Sequence, residues 1–391
     1  MASGSRTNVP ALGVLVLLNA LMAVIQTNIA SLNLPISIEF NQTLYGLGLL
    51  SSGFFVAYGL LELPGGLLAF RTGAKKLLVI GGLVTSVAAL VSAASPSFDV
   101  LIVLRFLAGA GLGLSFPPTV VLLIRNIRAG STGLGASLVA TSFSIGGGIG
   151  VFGWAVLSVI LGWRGSIFLG GALCLIATAV ASWLLPADAP LTTPTQMMSN
   201  LRRVIFNKEF MIISVAFLGA GGGNTVVGSF MVYYLEQHLR LNADTAGLIG
   251  GLTYVLPILS SPFFGRMYDR GYSEKTTLLS SAILLGLGIG VAALNSVLSA
   301  VVSVLAVGLA TGIFFTVGFS TARDRSPVRE MDSFTVGLAD SFSLVGSFLS
   351  PLYFSVTVLD YGYSSAWLMG GAVTVALAVP LLLLDRRRIR P

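Results

Sequence analysis

Three ionisable side chains, Glu62, Arg105 and Asp340, stand inside long apolar stretches of the 391-residue chain. A charge in lipid-like surroundings costs at least a few kcal/mol, so it is kept where it faces a cavity or a partner. A carboxylate in that position is suited to taking up a proton or cation and giving it back. Asp340 lies seven residues past Ser333, about 10 Å deep at 1.5 Å per residue. It is a candidate for proton or cation binding; packing through Ser341, Ser343 or a neighbouring helix accounts for it equally. Glu62 and Arg105 differ in depth by about 8 Å if counted from opposite ends of a 30 Å core. Two long side chains bridge that distance, either as a coupling pair or as a structural salt bridge.

Neutral polar residues extend the set. Gln26 and Asn28 sit in the first apolar segment, and Asn224 follows Gly219, Gly221, Gly222 and Gly223 in the seventh. A glycine-rich interruption at mid-membrane would expose backbone groups to a ligand, whereas glycines that only pack helices would not. Gln26, Asn28 and Asn224 are therefore cavity candidates. Phe116-Pro117-Pro118 and Pro257 are candidate bend points. The lone His238 falls with Glu236 in an outer loop, and the single Cys174 is in an apolar segment. No Walker loop, metal cluster or Cys/His catalytic set is present, which argues against an enzyme and against a cofactor. Arg105 is the only basic residue in the apolar segments, so an obligate multianion substrate is disfavoured.

The elements that must hold these residues are helices in lipid. The chain is 55% hydrophobic and 9% charged, against about 25% charged in soluble domains. Twelve apolar stretches of about twenty residues are expected at 10–31, 45–69, 75–94, 98–122, 133–158, 166–185, 210–234, 245–266, 276–294, 299–320, 333–357 and 365–384. Runs without alternation read as helices, because each backbone group must be satisfied within its own segment. The fold class is an all-α membrane protein, twelve transmembrane helices in two pseudo-symmetric six-helix bundles. The expected divisions are 1–185, a cytoplasmic linker 186–209 rich in Pro and Thr, and 210–391 with a basic tail.

Of the 22 Lys and Arg, 19 fall in loops on the side of the N-terminus; Arg164 and Arg240 lie on the other side and Arg105 within a helix. The positive-inside rule then places both termini in the cytoplasm. Anionic inner-leaflet lipid explains the net charge of +7 without a nucleic-acid partner.

The second half repeats the first at an offset of 199: Gly66, Arg71 and Lys76 return as Gly265, Arg270 and Lys275, Gly109, Gly113 and Phe116 as Gly308, Gly312 and Phe315, and Ser142-Phe143-Ser144 as Ser341-Phe342-Ser343. Parallel repeats of this kind build two-lobed secondary transporters. With the run from Gly66 through Arg71 and Gly73 to Lys76, its copy from Gly265 through Asp269 and Arg270 to Gly271, Arg105 with Gly109, Gly111 and Gly113, and Gly162-Trp163-Arg164, the whole chain resembles the major facilitator superfamily. The resemblance implies that the two loops gate the cycle and that Arg105 takes part in proton coupling. It also implies that Asp269 reaches the start of segment 5 near Thr132 and Gly133, at the positive end of a helix dipole. Phe70 replaces the matching acid, so the gate is expected to be asymmetric. Segment 5 has Gly146, Gly147, Gly148, Gly150 and Gly153, but Val151 stands where the antiporter motif has proline.

The expected function is secondary active transport of a small organic solute by alternating access, proton-coupled, leaning to neutral or cationic, partly apolar substrates in efflux. The alternatives are a proton-linked uptake carrier for a monocarboxylate, with Arg105 on the anion, and a non-transporting receptor. The expected partners are the solute, protons and the bilayer of the cell membrane, with the protein acting as a monomer.

Overall fold

The computed structural model describes residues 8–126, 132–186, 203–327 and 332–385. Helices follow one another in the order α1 (Val9–Thr27), α2 (Ile29–Glu39), α3 (Leu44–Thr72), α4 (Ala74–Ser92), α5 (Phe98–Arg125), α6 (Thr132–Gly148), a five-residue π turn (Ile149–Gly153) and α7 (Trp154–Leu184). The second half continues with α8 (Lys208–Gln237), α9 (Ala243–Asp269), α10 (Glu274–Val291), α11 (Val297–Asp324) and α12 (Asp332–Ala378). No strand occurs among the described residues.

Among the described residues, ten apolar segments are long enough to cross a membrane. Two of them, Leu138–Leu184 and Thr335–Leu383, have 47 and 49 residues, about 70 Å at 1.5 Å per residue and twice a hydrocarbon core. Each turns back at a glycine in the left-handed region, Gly162 (φ 69°) and Gly362 (φ 80°). Counted as two passes each, these segments bring the total to the expected twelve. A Cβ at Gly162 would meet nothing within 4 Å, yet its backbone conformation penalises any side chain. Gly162→Ala is therefore expected to lower stability by about 1–2 kcal/mol, which thermal unfolding in detergent would register.

The chain forms two compact units, Met1–Gln42 with Gly53–Thr193, and Thr43–Ser52 with Pro194–Pro391. In the first, α5 packs on two neighbours through alternate glycines. A Cβ on Gly109 would overlap the Phe54 carbonyl, and one on Gly113 would lie 2.5 Å from Tyr58 O, both on α3. Gly111, two residues on and so on the opposite face, meets Thr85 N of α4 at 2.5 Å. The second unit repeats the α3 seam residue for residue: Gly308 meets Thr253 O at 2.7 Å and Gly312 meets Pro257 Cα at 2.8 Å, each 199 positions on. Small residues let these backbones touch where lipid offers no hydrophobic drive to association. Outward faces carry Val159, Ile160, Trp183 and Leu259, all exposed, as a lipid surface requires.

Polar clasps close the ends of the first unit. Arg164 donates to Glu39 Oε1 (2.6 Å) and to Ala93 O (2.9 Å), while Trp163 Nε1 donates to Glu39 Oε2 (2.5 Å). Three connections are thereby tied together. At the opposite end of each unit a lysine caps the last helix: Lys75 Nζ donates to Leu185 O and, in the second unit, Lys275 Nζ to Leu382 O. Cations there satisfy carbonyls that a helix end leaves free.

Candidate functional site

The main polar feature of the first unit is a break in its first pass. α1 stops at Thr27 and α2 starts at Ile29; Asn28 between them keeps helical φ/ψ (−58°, −29°), so the break is one in the hydrogen-bond ladder within the single span Val9–Glu39. A helix end leaves its last four carbonyls without intrahelical donors. Val24 O is satisfied by Asn28 N at 2.8 Å. Ile25 O and Gln26 O are satisfied from α5, where Arg105 Nη1 donates to Ile25 O (2.7 Å) and Nη2 to Gln26 O (3.2 Å). Its guanidinium lies 4.4 Å from the centre of the Phe54 ring, a cation–π contact. Gly109, one turn along from Arg105, is where α3 and α5 approach most tightly, so the glycine seam places both Phe54 and Arg105 beside the break. Arg105 is 5% exposed, and its Nε and Gln26 Oε1 are both buried without partners.

The break is braced from the other side by α6 and the π turn. Asn19 Nδ2 donates to Val139 O (3.1 Å) and Ser142 Oγ (2.7 Å), Thr27 Oγ1 to Gly147 O (3.2 Å) and Ser31 Oγ to Val151 O (2.5 Å). Val139, Gly147 and Val151 each stand 120 residues beyond their partners, which means two parallel helices in fixed register. The π turn falls at Val151, where the sequence lacks proline; it distorts segment 5 without one.

Several expectations change. Glu62 and Arg105 make no ion pair: Arg105 is directed at Ile25 and Gln26, and Glu62, 3% exposed, is engaged elsewhere. Depth along the membrane allowed the pair, but the helix faces do not. The glycine-rich seventh segment is not interrupted. α8 runs unbroken through Gly219–Gly223, and these glycines pack it against α12: a Cβ on Gly221 would overlap Ser343, and one on Gly223 would lie 2.6 Å from Thr374 Oγ1. The broken helix is its counterpart α1, and the difference follows from α5: Arg105 is present to cap α1, while Val304 holds the matching place in α11. The candidate bend points Pro117 and Pro118 lie within α5, and Pro257 lies within α9. Glu236 is not in a loop; α8 extends to Gln237 and buries it, leaving His238 exposed at the cap.

Of the expected site residues, the structure brings Gln26, Asn28 and Arg105 together. Asn224 belongs to the second unit, where its Oδ1 accepts from Thr311 Oγ1 at 3.2 Å. Asp340 is half-buried on α12 and has partners of its own. In the loops, Gly66 and Arg71 end α3, Gly73 and Gly271 turn at positive φ, and Gly265 lies within α9. Asp269 and Arg270 are exposed, and Asp269 pairs with neither Arg270 nor Lys275, whose Nζ is on Leu382 O. Phe70, Thr132 and Gly133 lie outside the residues whose side chains are described, as do the linker from 187 to 202 and the tail after 385. Phe54 and the Ile25 carbonyl escaped the sequence reading, since an aromatic ring and a backbone oxygen carry no composition signal.

A family model described as Major Facilitator Superfamily matches residues 15–223 and again 213–391. Among curated proteins, the uncharacterized MFS-type transporter YybF of Bacillus subtilis (strain 168) is 30% identical over 251 residues, 62% of this chain and 60% of its own length. That match spans less than two thirds of the relative. The quinolone resistance protein NorA of Staphylococcus aureus (strain MRSA252) is 23% identical over 88% of both chains. A gallate transporter of Pseudomonas putida is 25% identical over 86% of this chain and 79% of its own. Among solved structures, a bacterial homolog of the human lysosomal transporter Spinster, inward-facing and unoccupied, superposes with a TM-score of 0.78 at 14% identity, covering 98% of this chain and 96% of that one. At that identity the likeness speaks for the fold.

Proposed function

This chain belongs to the Major Facilitator Superfamily, and we propose from that premise that it exports a neutral or cationic, partly apolar organic solute by alternating access, driven by the proton gradient across the cell membrane. The moving parts in this reading are the bundles 1–185 and 210–391. The observation that carries it is the commitment of Arg105: both terminal nitrogens of this arginine, the one basic residue that the sequence puts within the apolar segments, are bound to α1 carbonyls. A guanidinium so engaged is poorly placed to grip a carboxylate in the bidentate fashion that makes arginine a good anion receptor. By sequence, the apolar segments hold two acids, Glu62 and Asp340, against one arginine, a count that leans to cations over anions. Similarity to a quinolone resistance protein over 88% of both chains supports the same direction. Asp340, absent from the matching position of the first half, is the group assigned to the proton.

The gallate relative favours a second reading, proton-linked uptake of a monocarboxylate with Arg105 on the anion. The two separate in liposomes that hold the purified protein and a pH-sensitive dye, challenged with cationic, neutral and monocarboxylate solutes. Export of a cationic solute should move protons in the opposite direction, and Asp340→Asn should reduce that flux at least tenfold. Flux with monocarboxylates alone would transfer the assignment to the second reading. Unchanged flux in Asp340→Asn would remove this residue from the cycle, and binding without flux for every solute would leave a receptor.

A further inference from the structure

Glu236 has no role in the reading above, and its setting is unusual for a carboxylate. It is 7% exposed, and Oε2 is shielded from solvent and accepts from no donor. Among the described residues, the second unit's ion pairs, Arg323 with Asp324 and Arg325 with Glu209 and Glu274, are at the opposite ends of its helices. A buried carboxylate with neither donor nor counter-ion is costly unless something neutralises it.

The register of α8 shows what surrounds it. Gly221, Thr225, Ser229 and Glu236 follow at spacings of four, four and seven residues, which places them on one face. That face meets α12. Thr225 Oγ1 donates to Ser347 Oγ at 2.7 Å, Ser347 Oγ to Gly221 O at 3.3 Å, and Phe230 stacks on Phe354 with centroids 5.2 Å apart. Between them on the α12 side, Ser350 Oγ is also buried without a partner. Thr225 pairs 122 residues ahead and Phe230 pairs 124 ahead, so the helices run parallel and Glu236 comes level with the stretch from Val358 to Asp360. A seam of hydroxyls and close backbones thus ends at an uncompensated acid. The other ionisable groups described at this end include Tyr233, Arg240 just past α8, Asp244 on α9, and Tyr353, Asp360, Tyr361 and Tyr363 on α12. None of them makes an ion pair or hydrogen bond with Glu236. His238, two residues on, instead stacks on Tyr234 at 5.3 Å and meets Tyr363 at a tilt of 45° and 4.8 Å.

We propose that Glu236 is a binding site for a small monovalent cation, entered from the outer end of the second unit. A proton or a sodium ion supplies the same chemistry, neutralising the carboxylate. The site does not depend on which solute is carried, or on whether any is.

The test uses the full-length protein in detergent and needs no variant to read the site itself. Dicyclohexylcarbodiimide adds to a neutral, apolar carboxyl, and mass spectrometry of the peptides locates the adduct. If the ligand is a proton, labelling of Glu236 should rise at least tenfold from pH 8 to pH 6 and be indifferent to sodium. If it is sodium, 100 mM of that ion at pH 6, but not choline, should slow the labelling at least fivefold. Labelling at Glu236 that responds to neither, or no labelling there between pH 5 and 8, would overturn the proposal. Glu236→Gln gives a second readout, because its melting temperature should lose whichever dependence the wild type shows, and a dependence retained in full would also overturn it.

Discussion

Gly109→Val is expected to abolish assembly of the folded protein, with loss of the monodisperse peak in size-exclusion chromatography of the solubilised membrane. A Cβ at Gly109 would overlap the Phe54 carbonyl, and neither side of that contact can retreat, since one is α3 backbone and the other α5 backbone. Overpacking typically costs about 1–3 kcal/mol when side chains can shift, and more when they cannot. The loss here is expected at the upper end or beyond, about 3 kcal/mol or more. The effect should reach past packing, because the same seam carries Phe54 and Arg105 to the break in the first pass. Gly308→Val, at the repeat position against Thr253, should behave alike. Gly13→Ala is the control: nothing stands within 4 Å of its Cβ, and alanine in a helix is about 1 kcal/mol better than glycine. Normal assembly of Gly109→Val would mean that α3 and α5 do not approach as closely as the fold requires.

Arg105→Lys is expected to cost about 2–4 kcal/mol of stability despite conserving the charge. The guanidinium reaches two carbonyls at once, 2.7 and 3.2 Å away, whereas a single ammonium is a point donor on a flexible stem. Each buried carbonyl left without a donor costs about 1–3 kcal/mol. Thermal unfolding would report the loss, and hydrogen exchange would show where it lies, with faster exchange confined to the amides around Asn28. A purely electrostatic coupling role predicts the opposite pattern: unchanged stability and exchange, with proton flux altered. Arg105→Gln adds a further distinction, since it should destabilise at least as much as lysine and leave any preference for cationic solutes intact.

Much of the architecture was legible in the chain. Apolar run length located the passes, and the 199-residue repeat anticipated that Gly109 and Gly308 do the same work, which the contacts with Phe54 and Thr253 bear out. What failed were inferences about partners. Glu62 and Arg105 were compatible in depth, yet helical rotation turns them to different neighbours. The glycines of α8 resemble a ligand-binding interruption in composition, but the approach of α12 uses them as packing surface. Glu236 was placed outside the helix because apolarity ends at Tyr234, although its spacing from Thr225 and Ser229 already marked it as one more position of a buried face.

The sequence by itself determined that this is a multi-pass helical protein built twice over, because crossing lipid is a local requirement: each segment must satisfy its own backbone and be long enough to span. Tertiary structure alone decided where a helix breaks, which carbonyls Arg105 caps and whether Glu236 is buried. These outcomes depend on partners from 79 to more than 120 positions away, and periodicity tells which face a residue occupies without telling which helix lies across from it.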